Sequence, residues 1–195
     1  MNRTPKETIR TFIAVELSQE IQDRLGQLQS DFKVSMPDVR WTKYSNIHLT
    51  LKFLGDVPLS KIDKIGEALR EVAVQFPAFT MSLAGIGAFP NLRKPRIVWA
   101  GVKKGADELK EIASSIDLSM KRLGFPPEKR RFSPHLTVGR IRHLKNPAAM
   151  TEALDKSAVG ELGEFTVERI SLIKSQLDPA GSIYTTIKEA RLKGA

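Results

Sequence analysis

The sequence predicts a single domain of mixed strands and helices, covering 1–195 and folded as two similar lobes. A length of 195 residues suffices for one sizeable core or for two small lobes that share one. The order strand–helix–strand–helix–strand occurs twice, and the middle strand of each copy carries the letters His-Leu-Thr. No low-complexity linker separates the copies. We therefore expect an internal duplication, with repeats at about 10–90 and about 96–192.

A short run rich in β-forming residues, TFIAVEL, begins the first half at 11–17. Ser18 follows this run and is a typical helix N-cap. After Ser18, apolar residues recur at the spacing of one helix face, at Ile21, Leu25 and Leu28. The sequence thus predicts a first strand that is followed directly by a helix.

Three more strands and a second helix complete the first half. VRWTK at 39–43 is rich in β-formers, and NIHLTLKFLG at 46–55 alternates polar and apolar residues as a half-buried strand does. Ser60 is expected to cap the second helix. The apolar residues on one side of that helix are Ile62, Ile65, Leu69 and Val72. FTMSLAGIGAF at 79–89 predicts the last strand, and its glycines suggest bends or bulges.

The second half repeats this order of elements. The expected elements are a strand at 96–102, a helix at 105–124, a strand at 133–141, a helix at 146–158, a strand at 165–175 and a final strand at 182–192. Gly124 suits the position just after a helix end. The residues Asp-Pro-Ala-Gly at 178–181 predict a turn between the last two strands.

Two tetrapeptides of the same form occupy matching places in the two halves. They are His48-Leu-Thr-Leu and His135-Leu-Thr-Val, and they use two of the three histidines. Residues i and i+2 of a strand share a face, so each imidazole stands beside a hydroxyl, that of Thr50 or of Thr137. If the lobes pack around a pseudo-two-fold axis, the two pairs meet across a cleft. His143 has no threonine two residues on and is expected to lie in a solvated loop.

A cleft of this kind suits proton transfer at a phosphoester. An imidazole with its unperturbed pKa of about 6.5 can accept or donate a proton near neutral pH. Threonine hydroxyls can hydrogen-bond phosphoryl oxygens, and nearby cations can neutralise the charge that develops. Strand alternation predicts Lys52 on the face of His48 and Arg131 on the face of His135. Trp41 is interpreted as a core or cleft-wall residue on which a base could stack. These residues together predict metal-free phosphoester cleavage.

The composition narrows the class of protein. The chain has no cysteine, which excludes disulfides, thiol nucleophiles and zinc–thiolate sites. Its formal net charge of +9 favours anionic partners, with nucleic acid the commonest, although such a charge can also serve solubility alone. Basic residues cluster beside the second motif, at 129–131 and 140–142. No apolar run approaches the roughly 20 residues that cross a bilayer, and the first residues lack a secretory signal, so we expect a cytoplasmic protein without membrane association.

These motifs carry a family likeness. The sequence resembles the two-histidine (2H) phosphoesterase superfamily, and within it the RNA 2′,3′-cyclic phosphodiesterases, historically called 2′-5′ RNA ligases. The likeness rests on both His-Leu-Thr motifs with their flanks, namely Lys-Phe-Leu-Gly after the first and Ser-Pro before the second. It extends to RTFIAV at 10–15, PRIVW at 95–99 and GSIY at 181–184, and therefore spans nearly the whole chain.

The resemblance implies a fold and an activity. The implied fold is α+β and bilobal, with antiparallel sheets that line a central cleft and helices outside. The implied reaction hydrolyses a 2′,3′-cyclic phosphate at an RNA end to a 2′-phosphomonoester, with 2′-5′ joining as its unfavoured reverse and with no metal or cofactor. His48 is then expected to donate a proton and His135 to accept one, an order that the motifs alone do not reveal. The implied partners are RNA ends or nucleotides that carry a cyclic phosphate, and the protein is expected to be a monomer.

Two other interpretations stay open at this point. One is another activity of the same superfamily, on 2′-5′ oligonucleotides or small cyclic nucleotides, which a panel of substrates would distinguish. The other is a non-catalytic module that binds RNA or a nucleotide in the same cleft. Such a module would keep its affinity without the two histidines, whereas an enzyme would lose turnover.

Overall fold

The computed structural model describes residues 7–92, 94–142, 145, 147–156, 160–179 and 181–195. The strands formed by these residues are β1 (Thr8–Glu16), β2 (Val39–Trp41), β3 (His48–Pro58), β4 (Phe79–Phe89), β5 (Ile97–Lys104), β6 (His135–Ile141), β7 (Glu161–Val167), β8 (Arg169–Asp178) and β9 (Gly181–Arg191). The helices are α1 (Gln19–Lys33), α2 (Ile62–Ala73), α3 (Ala106–Arg122) and α4 (Pro147–Lys156). Within the described ranges, no helix combines the length and the apolar composition that crossing a membrane requires.

The strands form two antiparallel sheets. The first sheet has the order β3-β1-β8-β9 and the second has the order β2-β6-β5-β4-β7. Each sheet therefore combines strands from both halves of the chain, because β8 and β9 complete the first sheet whereas β2 and β4 complete the second. The expected α+β class with antiparallel sheets in a single domain is confirmed. The repeat boundaries at about 10–90 and 96–192 stay a prediction, and the membership of the sheets does not follow them.

Helix α1 begins where the sequence predicts it. The Oγ of Ser18 accepts a hydrogen bond from the backbone N–H of Ile21 at 3.4 Å, as an N-cap does. The helix follows β1 of the first sheet but packs on the second. The side-chain amide of Gln29, which is buried, donates to the backbone oxygens of Thr42 (2.7 Å) and Val138 (3.0 Å), and Val138 belongs to β6. Helix α1 thus packs against β6, the strand that carries the second motif.

Helices α2 and α3 pack together over the first sheet. Helix α2 contacts β8 and β9, and α3 contacts β3. Helix α3 ends near Gly124, whose φ of 87° lies in the left-handed region that a glycine adopts without strain, as expected from the sequence. The predicted cap of α2 is wrong. A short 3₁₀ turn at Leu59–Lys61 precedes α2, and its N-cap position is taken by Lys61, which makes no side-chain capping bond, rather than by Ser60.

The strand predicted at 165–175 is two strands. β7 pairs with β4 of the second sheet, whereas β8 pairs with β1 of the first, so the chain crosses between sheets at Glu168. The burial pattern does not mark this crossing, because Ile170, Ser171, Leu172 and Ile173 are all buried and both faces of β8 are therefore covered.

Candidate active site

The first half-site lies on β3. Leu49, which is fully buried, points into the core, so the residues on either side of it, His48 and Thr50, face the opposite way and remain partly exposed. The ring of Phe12 on β1 stacks on the imidazole with 4.5 Å between centroids. The ring of Tyr184 on β9 meets the same imidazole edge-on at 5.1 Å. Strands from both ends of the chain therefore fix the orientation of this histidine.

The second half-site lies on β6 and has its own aromatic wall. The ring of Phe89 meets the His135 imidazole edge-on at 5.0 Å, and it lies 5.3 Å from the ring of Trp99. Trp99 stands directly across the ladder from Thr137. Its indole rests on Gly87, where a Cβ atom would come within 2.3 Å of a ring carbon, so only glycine leaves room for this wall. Trp99 thus belongs to the wall beside His135.

The two imidazoles are held in the same way. Nδ1 of His48 lies 2.9 Å from the backbone oxygen of Asn46, and Nδ1 of His135 lies 2.7 Å from that of Ser133, in each case two residues earlier. A carbonyl oxygen only accepts, so each Nδ1 carries the hydrogen. In the neutral ring Nε2 is then free to accept a proton, and in the charged ring Nε2 is free to donate one. Either histidine can therefore act as acid or as base through Nε2.

The environment of His48 affects its proton affinity. Burial lowers the pKa of His48 to about 4, because the surroundings solvate the charged ring poorly. The hydrogen bond to the Asn46 carbonyl and the negative charge of Glu16 both act in the opposite direction. In the free protein at neutral pH this ring is consequently neutral.

The two half-sites adjoin each other. β3 and β6 come into contact although they belong to different sheets. The hydroxyls of Thr50 and Thr137 make no hydrogen bond within the described part of the chain, and both side chains are partly exposed. They remain available to a bound ligand. The pairing of imidazole with hydroxyl that the sequence predicts on each strand is therefore present twice, on neighbouring strands.

The prediction that Lys52 shares the face of His48 is wrong. The ladder between β1 and β3 passes from Thr50 to Lys52 without a partner for Leu51, so a β-bulge shifts the alternation by one residue. Lys52 is 2% exposed and points away from the cleft. Its Nζ donates to Oδ1 of Asp117 on α3 at 2.5 Å and to the backbone oxygen of Pro126 at 2.9 Å. Lys52 therefore ties β3 to α3 and to the segment after it.

Strand alternation predicts Lys52 on the same face as His48, but because of the bulge it is Phe53 that occupies this face. This phenylalanine is 63% exposed, and its ring lies 6.1 Å from that of Phe12. It extends the aromatic row that begins at His48.

The buried ion pair leads to a prediction about stability. Lys52→Met should lower the free energy of unfolding by about 2 kcal/mol, less than the full cost of breaking a buried pair because the Asp117 side chain is 24% exposed. Turnover of the folded variant should stay close to wild type. Chemical denaturation and kinetics at low temperature measure the two quantities. Lys103→Met is the matched control, since Lys103 pairs with Glu161 in solvent and should matter little. If Lys52→Met left stability unchanged but abolished turnover, Lys52 would have to contact the substrate.

Trp41 has the core position that is one of its two interpretations, whereas strand alternation gives no position for Arg131. Trp41 packs against the core and stacks on Phe32 of α1 at 6.4 Å between centroids, so one face of its ring is already covered. β6 begins at His135 and residues 125–134 form neither strand nor helix, so alternation cannot be extended back to Arg131. Arg131 is exposed, and its contact with substrate stays a prediction.

A pair of arginines lies along the second motif strand. Arg140 on β6 stands directly across from Arg40 on β2, and on its other side across from Ile97 on β5. Ile97 shares a face with Trp99, so both arginines lie on the cleft side of the second sheet. Both are exposed, and neither has an ion-pair or hydrogen-bond partner among the described residues. Like charges placed directly across a ladder repel each other, and a bound anion would relieve that repulsion.

Within the described ranges, no group of three or more His, Asp or Glu residues is arranged to hold a metal ion. The third histidine, His143, lies outside the described residues. The described residues offer two imidazoles and two hydroxyls on the contacting strands β3 and β6, and two guanidinium groups without partners on the paired strands β2 and β6.

Comparison with known proteins points to one family. The model of a family described as LigT like Phosphoesterase matches residues 15–99 and 101–184, and each matched stretch contains one His-Leu-Thr motif. A protein of Archaeoglobus fulgidus named RNA 2′,3′-cyclic phosphodiesterase is 37% identical over 180 residues, covering 92% of this chain and 98% of the relative. A protein of the same name from Methanothermobacter thermautotrophicus is 35% identical over 184 residues, covering 94% and 99%.

Solved structures agree in fold. The crystal structure of E. coli LigT complexed with 3′-AMP aligns with a TM-score of 0.77 at 25% identity, covering 95% of this chain and 99% of that one. A crystal structure of a Thermus thermophilus protein, TT0787, aligns with a TM-score of 0.79, also at 25% identity and with the same coverage. Both agree with the two-sheet architecture described above.

Proposed function

The chain belongs to the family of LigT-like phosphoesterases, and on that premise we propose that it is an enzyme that hydrolyses the 2′,3′-cyclic phosphate of RNA ends to a 2′-phosphomonoester. The observation that carries the proposal is the double half-site. His48 and His135 stand on adjoining strands, each beside a free threonine hydroxyl and each with Nδ1 held by a backbone carbonyl. Hydrolysis of a phosphodiester needs one group to accept a proton and another to donate one, and this arrangement provides both.

The proposed chemistry is one displacement at phosphorus. His135 takes a proton through Nε2 from the attacking water as the bond between water oxygen and phosphorus forms. The bond between phosphorus and the 3′ oxygen breaks, and His48 gives its Nε2 proton to that oxygen. The phosphate stays on the 2′ oxygen, and exchange with solvent returns both rings to their starting states. This order of roles follows the family resemblance. His48, which is neutral in the free protein, must therefore gain a proton before the step.

The remaining cleft residues have supporting roles in this proposal. Thr50 and Thr137 donate hydrogen bonds to the two non-bridging oxygens, whose charge grows as water attacks. Arg131 touches the reacting phosphate or its neighbour. Arg40 and Arg140 attract the RNA backbone along β6, where their mutual repulsion favours an anion. The 2′-5′ joining of ends, named above as the reverse, is the same opening of the cyclic phosphate with the 5′ hydroxyl of a second RNA in place of water, so the same groups serve it.

Relatives support the choice of substrate. The relatives from Methanothermobacter thermautotrophicus and Archaeoglobus fulgidus carry the name RNA 2′,3′-cyclic phosphodiesterase, and E. coli LigT has been crystallised with 3′-AMP. A nucleotide bound by a similar structure fits a site built for an RNA end. We propose further that one chain forms the whole site and acts as a cytoplasmic monomer, since both half-sites come from the same polypeptide.

One experiment tests the activity and the absence of a metal requirement together. Purified protein is incubated with an RNA that ends in a 2′,3′-cyclic phosphate, in the presence of excess EDTA, and the product is identified by ³¹P NMR. We expect complete conversion to the 2′-phosphomonoester at a rate that EDTA does not change, because imidazoles carry the protons. Loss of activity in EDTA that a single divalent ion restores would contradict the proposal in favour of metal-assisted hydrolysis.

The same assay separates the alternatives. A mononucleotide cyclic phosphate and a 2′-5′ oligonucleotide are run beside the RNA, with salt varied. Preference for the RNA that weakens with salt supports contacts of the arginines with its backbone. Preference for either small substrate at every salt concentration would assign the chain to another activity of the same family. Binding of all three without turnover would identify a binding module.

A further inference from the structure

Glu16 is a carboxylate at the edge of the first half-site. It is the last residue of β1 and stands directly across the ladder from His48. One carboxylate oxygen accepts a hydrogen bond from the Ser171 hydroxyl on β8 at 2.6 Å, and the other accepts one from the Thr186 hydroxyl on β9 at 3.0 Å. Ser171 is fully buried. Two hydroxyls from the same sheet thus hold the carboxylate beside the imidazole.

The second half-site has no such group at the corresponding ladder position. The residue directly across the ladder from His135 is Gly101, which has no side chain. The residues that face the two threonines across the ladder are both uncharged. Ala14 faces Thr50, and Trp99 faces Thr137. Two half-sites that match in histidine, threonine and carbonyl contact therefore differ in the residue that faces the histidine across the ladder, which is charged only in the first.

We propose that Glu16 is a positioning residue that favours the protonated form of His48 once the anionic substrate is bound, and so supports this histidine in the role of the acid. The inference rests on the proposed function and adds a residue that supports one of its two proton-transfer roles. An anionic neighbour favours the charged form of an imidazole, and burial opposes it. The negative charge of Glu16 raises the pKa of His48, whereas burial lowers it. The anionic phosphate of a bound substrate would also raise this pKa.

Other charged or titratable groups also lie near His48. Glu189 on β9 faces Ser171, and its carboxylate lies 3.4 Å from a guanidinium nitrogen of Arg169. The ring of Tyr184 touches the imidazole edge-on. On the facing strand the titratable group of the site is His135. Glu16 is consequently the carboxylate with the most direct electrostatic effect on His48.

The test is the pH dependence of turnover in Glu16→Gln, a variant that keeps the size of the side chain and removes its charge. If His48 is the acid, the rate on the alkaline side of the profile is proportional to its protonated fraction. A pKa of His48 that is lower by about one unit then slows the variant about tenfold near pH 8 and leaves the rate on the acid side unchanged. Glu189→Gln, which removes a paired carboxylate from the same wall, is the control and should leave the profile in place. Glu16→Asp should retain most of the alkaline rate.

Each other outcome has a definite meaning. A Glu16→Gln profile equal to wild type shows that the carboxylate does not act on the acid. A gain on the acid side with no loss on the alkaline side makes His48 the base. Equal loss at every pH in both Glu16→Gln and Glu16→Asp means that the residue acts by shape or touches substrate. All three overturn the inference while the phosphodiesterase activity stands. Absence of turnover in the wild-type protein would instead overturn the proposed function itself.

Discussion

Replacement of His48 or His135 with alanine should each lower turnover of an RNA cyclic phosphate by about 10²-fold or more. Each change removes one of the two groups that move a proton, and no other imidazole in the described part of the chain stands beside a free hydroxyl. The double variant should be little slower than either single variant, because an acid and a base that act in one step form a unit. Single-turnover kinetics on one defined RNA end measure all three.

A matched control accompanies these variants. His143→Ala removes the remaining histidine, which the sequence places outside both motifs, and should keep wild-type turnover. Circular dichroism and thermal melting should show that both active-site variants remain folded, because both imidazoles are partly exposed. Near-wild-type turnover in His48→Ala or in His135→Ala would reject two-histidine catalysis. Strictly multiplicative losses in the double variant would show that the two residues act in separate steps.

Thr50→Val and Thr137→Val should each lower turnover by about 10²-fold, the size of effect seen when one donor to a developing oxyanion is lost. Valine has nearly the same shape as threonine and suits a strand, so packing is kept and only the hydroxyl is removed. Both hydroxyls lack a hydrogen bond in the described part of the protein, so their removal leaves no unsatisfied partner in the fold. The loss should therefore fall on the reaction rather than on stability.

Kinetics can separate the possible roles of the two threonines. The losses should lie in kcat, since a bond that strengthens in the transition state affects the chemical step. Serine at either position should recover much of the rate, because it restores a hydroxyl. A raised KM with unchanged kcat would mean that the hydroxyl only binds the ground state. Unchanged kinetics in both valine variants would remove the threonines from the site.

The centre of the site is the part that sequence reasoning predicts best. His48 and Thr50, like His135 and Thr137, are two residues apart in short strands whose intervening leucine is fully buried. Over so short a span, strand alternation leaves little freedom. The cap at Ser18 is predicted for a similar reason, because it depends on a local pattern, whereas the α+β class with antiparallel sheets is what the family resemblance implies.

Features that depend on a partner strand are predicted less well. Alternation failed at Lys52 because a bulge at Leu51 intervenes, and a bulge is set by the fit of β3 to β1 rather than by β3 alone. It failed at Arg131 because β6 begins only at His135. Glu16 gave no signal at all in the sequence. Its significance arises from strand register and from hydroxyls on β8 and β9, more than 150 residues along the chain.

The position of β1 in the middle of the first sheet affects how the chain must be synthesised. Thr11 pairs with Lys174, so β1 leaves the ribosome long before the strand that covers its second edge. At about 5–20 residues per second, that edge stays open for on the order of ten seconds. An uncovered strand edge readily pairs with other chains, and pairing between distant segments is slow. Nascent chains of this protein are therefore most exposed to aggregation, and most dependent on chaperones, in the interval before their last two strands emerge.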